Sequence, residues 1–108
     1  MMAEHLDLPQ HIRGIVDLAY NSAELCAKAW LLLVGAEVPR THGGIVVRFS
    51  EQVVRPGKVP AELGRRLNRL LERRHRARYD PQATLLPHEA QEALELCGEL
   101  IRSLEGEP

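Results

Sequence analysis

The chain has 108 residues, a formal charge of −1, and 44% apolar against 27% charged residues. That length fits one domain, residues 1–108, and that mixture excludes a disordered polypeptide. No apolar run nears the ~20 residues that span a bilayer, and the opening MMAEHLDLPQ lacks the basic-then-apolar order of a signal peptide, so no membrane association is expected and the cytoplasm is the expected compartment.

Aromatic residues make up 4% of the chain, so a core has to come mainly from Leu, Val, Ile and Ala, which suits helices. From His11 to Val34 the apolar positions Ile12, Val16, Ala19, Ala23, Cys26, Trp30 and Leu33 recur at alternating steps of four and three. That spacing predicts one long helix, preceded by Pro9 and closed by Gly35. PRTHGGIVVRFSEQVV follows. Ile45, Val46, Phe49 and Val53 fit a helical face, whereas Ile-Val-Val is also β-prone and Gly43-Gly44 weaken a helix. A short helix is favoured because the chain offers no second strand for it to pair with.

RPGKVP (55–60) reads as a turn, with Pro60 in the first turn of a third helix whose stripe is Leu63, Leu67, Leu70 and Leu71. This helix is expected to stop at Tyr79, before Asp80-Pro81. After the loop DPQATLLP, Pro87 opens a last helix with the stripe Ala90, Ala93, Leu94, Cys97, Leu100, Ile101 and Leu104, and the tail GEP is expected to fray. The fold class is therefore all-α: an antiparallel four-helix bundle with room for an extra short helix. Cys26 and Cys97 both fall on apolar stripes and form no Cys-x-x-Cys pair, so they read as buried thiols.

Charge is unevenly spread. Residues 65–78 hold seven of the 14 Lys and Arg with a single acid, Glu72, while residues 88–108 hold six Glu and one Arg. The basic segment can meet phosphates, or it can pair with the acidic helix of its own chain. Helical steps carry the Leu63–Leu67–Leu70 line on to Arg74, Ala77 and Arg78, so Arg74 points where a partner or a cleft is expected. Arg69, Arg73 and Arg76 fall on an adjacent ridge that reads as solvated. A guanidinium away from water needs acceptors: for Arg74, either a carboxylate such as Asp80 or Glu24, or the phosphate of a ligand. His75 stands beside it, with Tyr79 one turn on. Imidazole moves protons near neutral pH and arginine stabilises a pentacoordinate phosphate, which together suffice for RNA cleavage by the neighbouring 2′-OH. The bland alternative for His75 is a surface side chain. Metal ligands are not clustered, so no metal and no cofactor is expected.

Four features in order carry a resemblance: AYNSAELCAKAWLLLVG in the first helix, THGGIVVRFSEQVV in the second segment, RHRARY in the third, and an Ala/Leu-rich closing helix. Over roughly residues 15–105 the chain resembles the HEPN domains (higher eukaryotes and prokaryotes nucleotide-binding), in particular small single-domain prokaryotic members with an Arg-x-x-Ala-Asp-Tyr motif. The resemblance implies a helical bundle, often homodimeric, paired with a minimal nucleotidyltransferase in a toxin–antitoxin type module. Active members are metal-independent ribonucleases with an Arg, four to six residues and a His, two protomers contributing to one cleft. Carried onto this chain, the catalytic candidates are Arg74, His75 and Arg69, the last with five residues between it and His75. The candidates for phosphate or nucleotide binding are Arg74, Arg78, Tyr79 and His42.

Arg78 stands where the motif usually has Asp. In some members a Tyr is adenylated by the partner enzyme, and the His that precedes it there by two residues is here Ala77. A buried, hydrogen-bonded Tyr79 is the simpler expectation. His42 matches the family's second-segment His and either lines the cleft or serves as a cap. The functions in play are an RNA-cleaving or RNA-binding toxin; a non-enzymatic module that docks onto a nucleotidyltransferase, with RNA or nucleotide as ligand; and a purely structural homodimer.

Overall fold

The computed structural model describes residues 8–106. Residues 1–7, part of the stretch on which the expectation of no signal peptide rests, and Glu107-Pro108 of the frayed-tail expectation lie outside the described residues. All four expected helices form, and no strand occurs among the described residues.

Helix α1 runs Leu8–Leu33, so Pro9 lies within its first turn rather than ahead of it. Ile12, Val16, Ala19, Ala23, Cys26 and Trp30 are buried as the stripe predicts, but Leu33 is 55% exposed and Leu31 is buried instead. A seven-residue repeat drifts about 20° per heptad on a straight helix, and three heptads carry Leu33 roughly 60° off the line of Ile12. Gly35, at φ 74°, ends the helix in the left-handed region, where its N–H and that of Ala36 reach back to Leu32 O (3.1 Å) and Leu31 O (2.8 Å).

The second segment is helical. In α2 (His42–Phe49) the Thr41 hydroxyl accepts the Gly44 N–H at 3.0 Å. A Cβ on Gly44 would lie 2.8 Å from that hydroxyl oxygen and 2.9 Å from Pro39 Cβ. The glycine that weakens a helix interior here permits the cap at the helix start. A π-helical turn, Ser50–Val54, extends α2, and Arg55 N–H bonds Ser50 O at 2.8 Å. Ile45, Val46, Phe49 and Val53 are all buried.

Helix α3 spans Ala61–Tyr79, with Pro60 at its cap position, one residue earlier than expected. Leu63, Leu67 and Leu70 are buried, each apolar side chain contributing about 1.5–3 kcal/mol. Helix α4 spans Pro87–Glu105. Its stripe is corrected at two positions: Leu94 and Ile101 are about half exposed, and Leu96 is buried. α4 packs on both α1 and α3, so its buried face centres on Ala93 and Leu100 and turns Leu94 and Ile101 outward.

Helix α3 runs antiparallel to its neighbours. Arg13 of α1 meets Ala77 while Tyr20 meets Arg74. Arg66 pairs with Glu99 of α4 while Arg76 pairs with Glu89. α1 and α4 consequently run alongside one another, joined by Trp30 Nε1–H to Ser103 Oγ (2.9 Å) and by the Cys97 thiol to Ala19 O (2.9 Å). Both cysteines are free and buried as expected, and burial pushes both thiols up.

Candidate functional site

A second, polar stripe runs beside the apolar one on α1: Arg13, Asp17, Tyr20, Glu24 and Lys28, at steps of four, three, four and four. It faces the basic end of α3. At its lower end the Arg13 guanidinium donates to Ala77 O at 2.8 Å and Asp80 O at 3.3 Å, and also to Ala83 O. These are carbonyls at and beyond the C-terminus of α3, where helical donors run out; Asp80 O also accepts the Ala83 N–H at 3.1 Å. The clamp fixes the last turn of α3, which carries the candidate residues.

Arg74 is buried, at 4% exposure. Its guanidinium lies over the Tyr20 ring, Cζ 5.2 Å from the centroid. Neither acceptor expected for it is the one it meets. Asp80 Oδ1 accepts the Gln82 N–H, and Glu24 is held by other partners. The carboxylate near Arg74 is Asp17, 3.5 Å from Nε, and Nε makes no hydrogen bond. Asp17 instead takes Arg78, whose Nε donates at 2.7 Å and Nη2 at 3.5 Å. Two guanidinium charges thus share one carboxylate. Substituting Arg at the position of the motif's Asp turns a local pair into an excess of positive charge.

Tyr20 connects this charge to the histidines. Its hydroxyl donates to Glu24 Oε2 at 2.9 Å, and its ring meets the edge of the His42 ring with centroids 5.6 Å apart. Burial, then the Glu24 carboxylate, push the Tyr20 hydroxyl up. Glu24 Oε2 also receives His42 Nδ1, and Lys28 Nζ lies 3.4 Å from Oε1. Burial acts to raise the Glu24 carboxyl, but the bonds from His42 and Tyr20 and the nearby Lys28 outweigh it and hold the group below its ordinary range. His42 and His75 line one open groove of about 540 Å³ between the start of α2 and α3, with Thr41, Gly43, Leu71 and Glu72.

The candidates therefore divide. Arg74, His75 and His42 gather around Tyr20 and the groove. Arg78 lies one turn along the same flank, half exposed and held by Asp17. Tyr79 is 65% exposed rather than buried, its ring 5.1 Å from that of His75. Four residues beyond His75 and just before the helix end, it has no element over it. Arg69 is not brought to His75: it lines a separate groove between α3 and α4 with Arg66, Arg73, Glu92 and Glu99. Six residues along a helix is about 240° of turn, which puts the two on opposite flanks.

Of the ridge read as solvated, Arg69 and Arg76 are exposed and Arg73 is half-buried, and two of the three are paired. Arg73 donates to Glu92 at 2.6 Å and lies 2.9 Å from Glu89, and Arg76 donates to Glu89 at 2.9 Å. Glu89 is buried and accepts the Leu86 N–H at 3.0 Å as well. Burial favours its neutral form, but that bond and the two arginines outweigh burial and hold the carboxyl low. Most of the basic segment is thus neutralised by acids of its own chain. Asp17 and Tyr20 carry the site yet drew no attention in the sequence; their signal was the polar stripe on α1.

No helix among the described residues is long and apolar enough to cross a membrane. No curated protein and no solved structure matches the chain. The HEPN domain family matches it over residues 10–107, nearly its whole length, and the helical bundle is the one the resemblance implied. The chain belongs to the HEPN domain family.

Proposed function

We propose that this HEPN protein acts on RNA phosphodiesters at the groove between the start of α2 and α3, by metal-independent cleavage. The observation that carries this is Arg74: a buried guanidinium with an unpartnered Nε, its nearest carboxylate already taken by Arg78, beside an open groove that displays His75. Enclosing a guanidinium that shares its carboxylate with a second arginine costs desolvation that this half-share repays incompletely. A positive field behind the groove favours an anion there, and stabilises the further charge that develops on the phosphoryl oxygens during attack by the 2′-OH. His75 supplies proton transfer. The products are a 2′,3′-cyclic phosphate and a 5′-hydroxyl.

In this proposal the protein is the RNA-acting half of a toxin–antitoxin type pair and works as a homodimer. Leu18, Leu25 and Leu32 of α1, and Leu94 and Ile101 of α4, are exposed. They offer a second copy an apolar surface. The test is to incubate purified protein with RNA and analyse the ends of the products. Intact RNA, together with a His75→Ala form as harmless to cells as wild type, rejects the proposal.

One observation favours a second reading. Tyr79, 65% exposed at the end of α3, is accessible to a partner enzyme. In that case the chain is a non-enzymatic module that docks onto a minimal nucleotidyltransferase, with nucleotide phosphates held near Arg74 and Arg78. Co-purification with such a partner, and a mass increase of one adenylate on Tyr79 without RNA cleavage, would decide for it.

A further inference from the structure

We infer that His42, oriented by Glu24, is a second catalytic residue of this groove: the base that takes the 2′-OH proton, while His75 is the acid that protonates the leaving oxygen. The inference rests on the cleavage proposed above. It starts from the hydrogen bond between His42 Nδ1 and the Glu24 carboxylate. Glu24 is ionised and can only accept, so the proton of a neutral His42 ring sits on Nδ1 and the lone pair on Nε2. A carboxylate that fixes the tautomer of an imidazole and stabilises its protonated form is the arrangement a general base needs.

The supports of Glu24 are themselves fixed. Tyr20 OH holds the same oxygen, and Lys28 lies against the other. Tyr20, Glu24 and Lys28 of α1, and Glu72 and His75 of α3, are the titratable groups around His42. Two imidazoles lining one groove divide the proton traffic. The O2′–P bond forms as the P–O5′ bond breaks. The 2′-OH proton passes to His42 Nε2, and a protonated His75 gives its proton to O5′. Nothing further is consumed.

Three forms of the protein test this. His42→Asn keeps a donor to Glu24 where Nδ1–H stands but has no Nε2. It should fold, and should lose about 10²–10⁴-fold in RNA cleavage. His75→Ala should lose a similar factor. On an RNA whose scissile O5′ is replaced by sulfur, a leaving group that needs no acid, His75→Ala should recover to near wild type and His42→Asn should not. Glu24→Gln can donate to Nδ1 and so should drive the proton to Nε2. Nitrogen NMR of the histidine rings should then show the Nδ1–H form in wild type and the Nε2–H form in Glu24→Gln, with cleavage falling alongside. His42→Asn that cleaves as wild type does, sulfur rescue of His42→Asn instead of His75→Ala, or an Nε2–H tautomer in wild type each overturns this inference alone. A wild-type protein that cleaves neither RNA overturns the proposed function as well.

Discussion

The two flanks of α3 use arginine in opposite ways. Toward α4, Arg66, Arg73 and Arg76 meet Glu99, Glu92 and Glu89, and the charges cancel in place. Toward α1, Arg74 is enclosed under Tyr20 with its Nε making no hydrogen bond, and the acid beside it, Asp17, is shared with Arg78. The lesson concerns reading basic segments. The number of arginines says little about ligand binding; whether the chain supplies each one with an acceptor says much more.

The comparison can be broken most sharply at Arg69. It occupies the neutralised flank, so Arg69→Ala should cleave RNA within a few-fold of wild type, against a loss of about 10²–10⁴-fold for His75→Ala. Equal losses would mean that the flanks cooperate, across two copies of the chain. Next in size is Glu89→Ala. It strips Arg73, Arg76 and the Leu86 N–H of their shared acceptor in a buried place, and should cost about 3 kcal/mol in chemical denaturation. Its effect on cleavage, once folded, should be small.

Acid sharpens the comparison further. Glu24 and Glu89 both titrate below the ordinary glutamate value of 4.5 in the folded chain. Their stabilisation is therefore complete above that pH and is lost as pH falls through the lower folded value. Melting temperatures measured from pH 7 to 3 should hold level and then fall below about 4.5, and Glu24→Gln or Glu89→Gln should each flatten part of that fall. The smallest effect is expected at Arg66→Ala, which removes a partly exposed pair with Glu99 and should cost under about 1 kcal/mol.

The fold was largely legible because its signals are local. The Leu63–Leu67–Leu70 line, Gly35 after a periodic run and Pro87 before one act within a few residues of themselves. Leu33, Leu94 and Ile101 were misplaced because burial at a stripe's edge depends on where neighbouring helices pack, which a single helix does not encode. The turn of Leu to Arg74 along one line of α3 was also visible, and with it an enclosed guanidinium. The identity of its neighbours was not. Asp17, Tyr20 and Glu24 reach Arg74 and His42 only through the packing of α1 on α2 and α3, across tens of residues. Tyr79 was misread for a related reason: whether a side chain at a helix end is covered depends on an element elsewhere in the chain.

Thermal unfolding of wild type and Arg74→Met, each with and without a 2′-O-methyl RNA oligonucleotide that cannot be cleaved, bears on the under-paired charge of Arg74 most directly. Replacing an enclosed charge that lacks full pairing by an apolar side chain of similar length removes its desolvation cost, and a ligand that binds only the folded state raises the melting temperature. Arg74→Met should melt at or above wild type when free, and should show none of the rise that the oligonucleotide gives wild type. An Arg74→Met protein that melts several degrees lower, yet rises with the oligonucleotide as wild type does, would make Arg74 a structural residue and contradict the account.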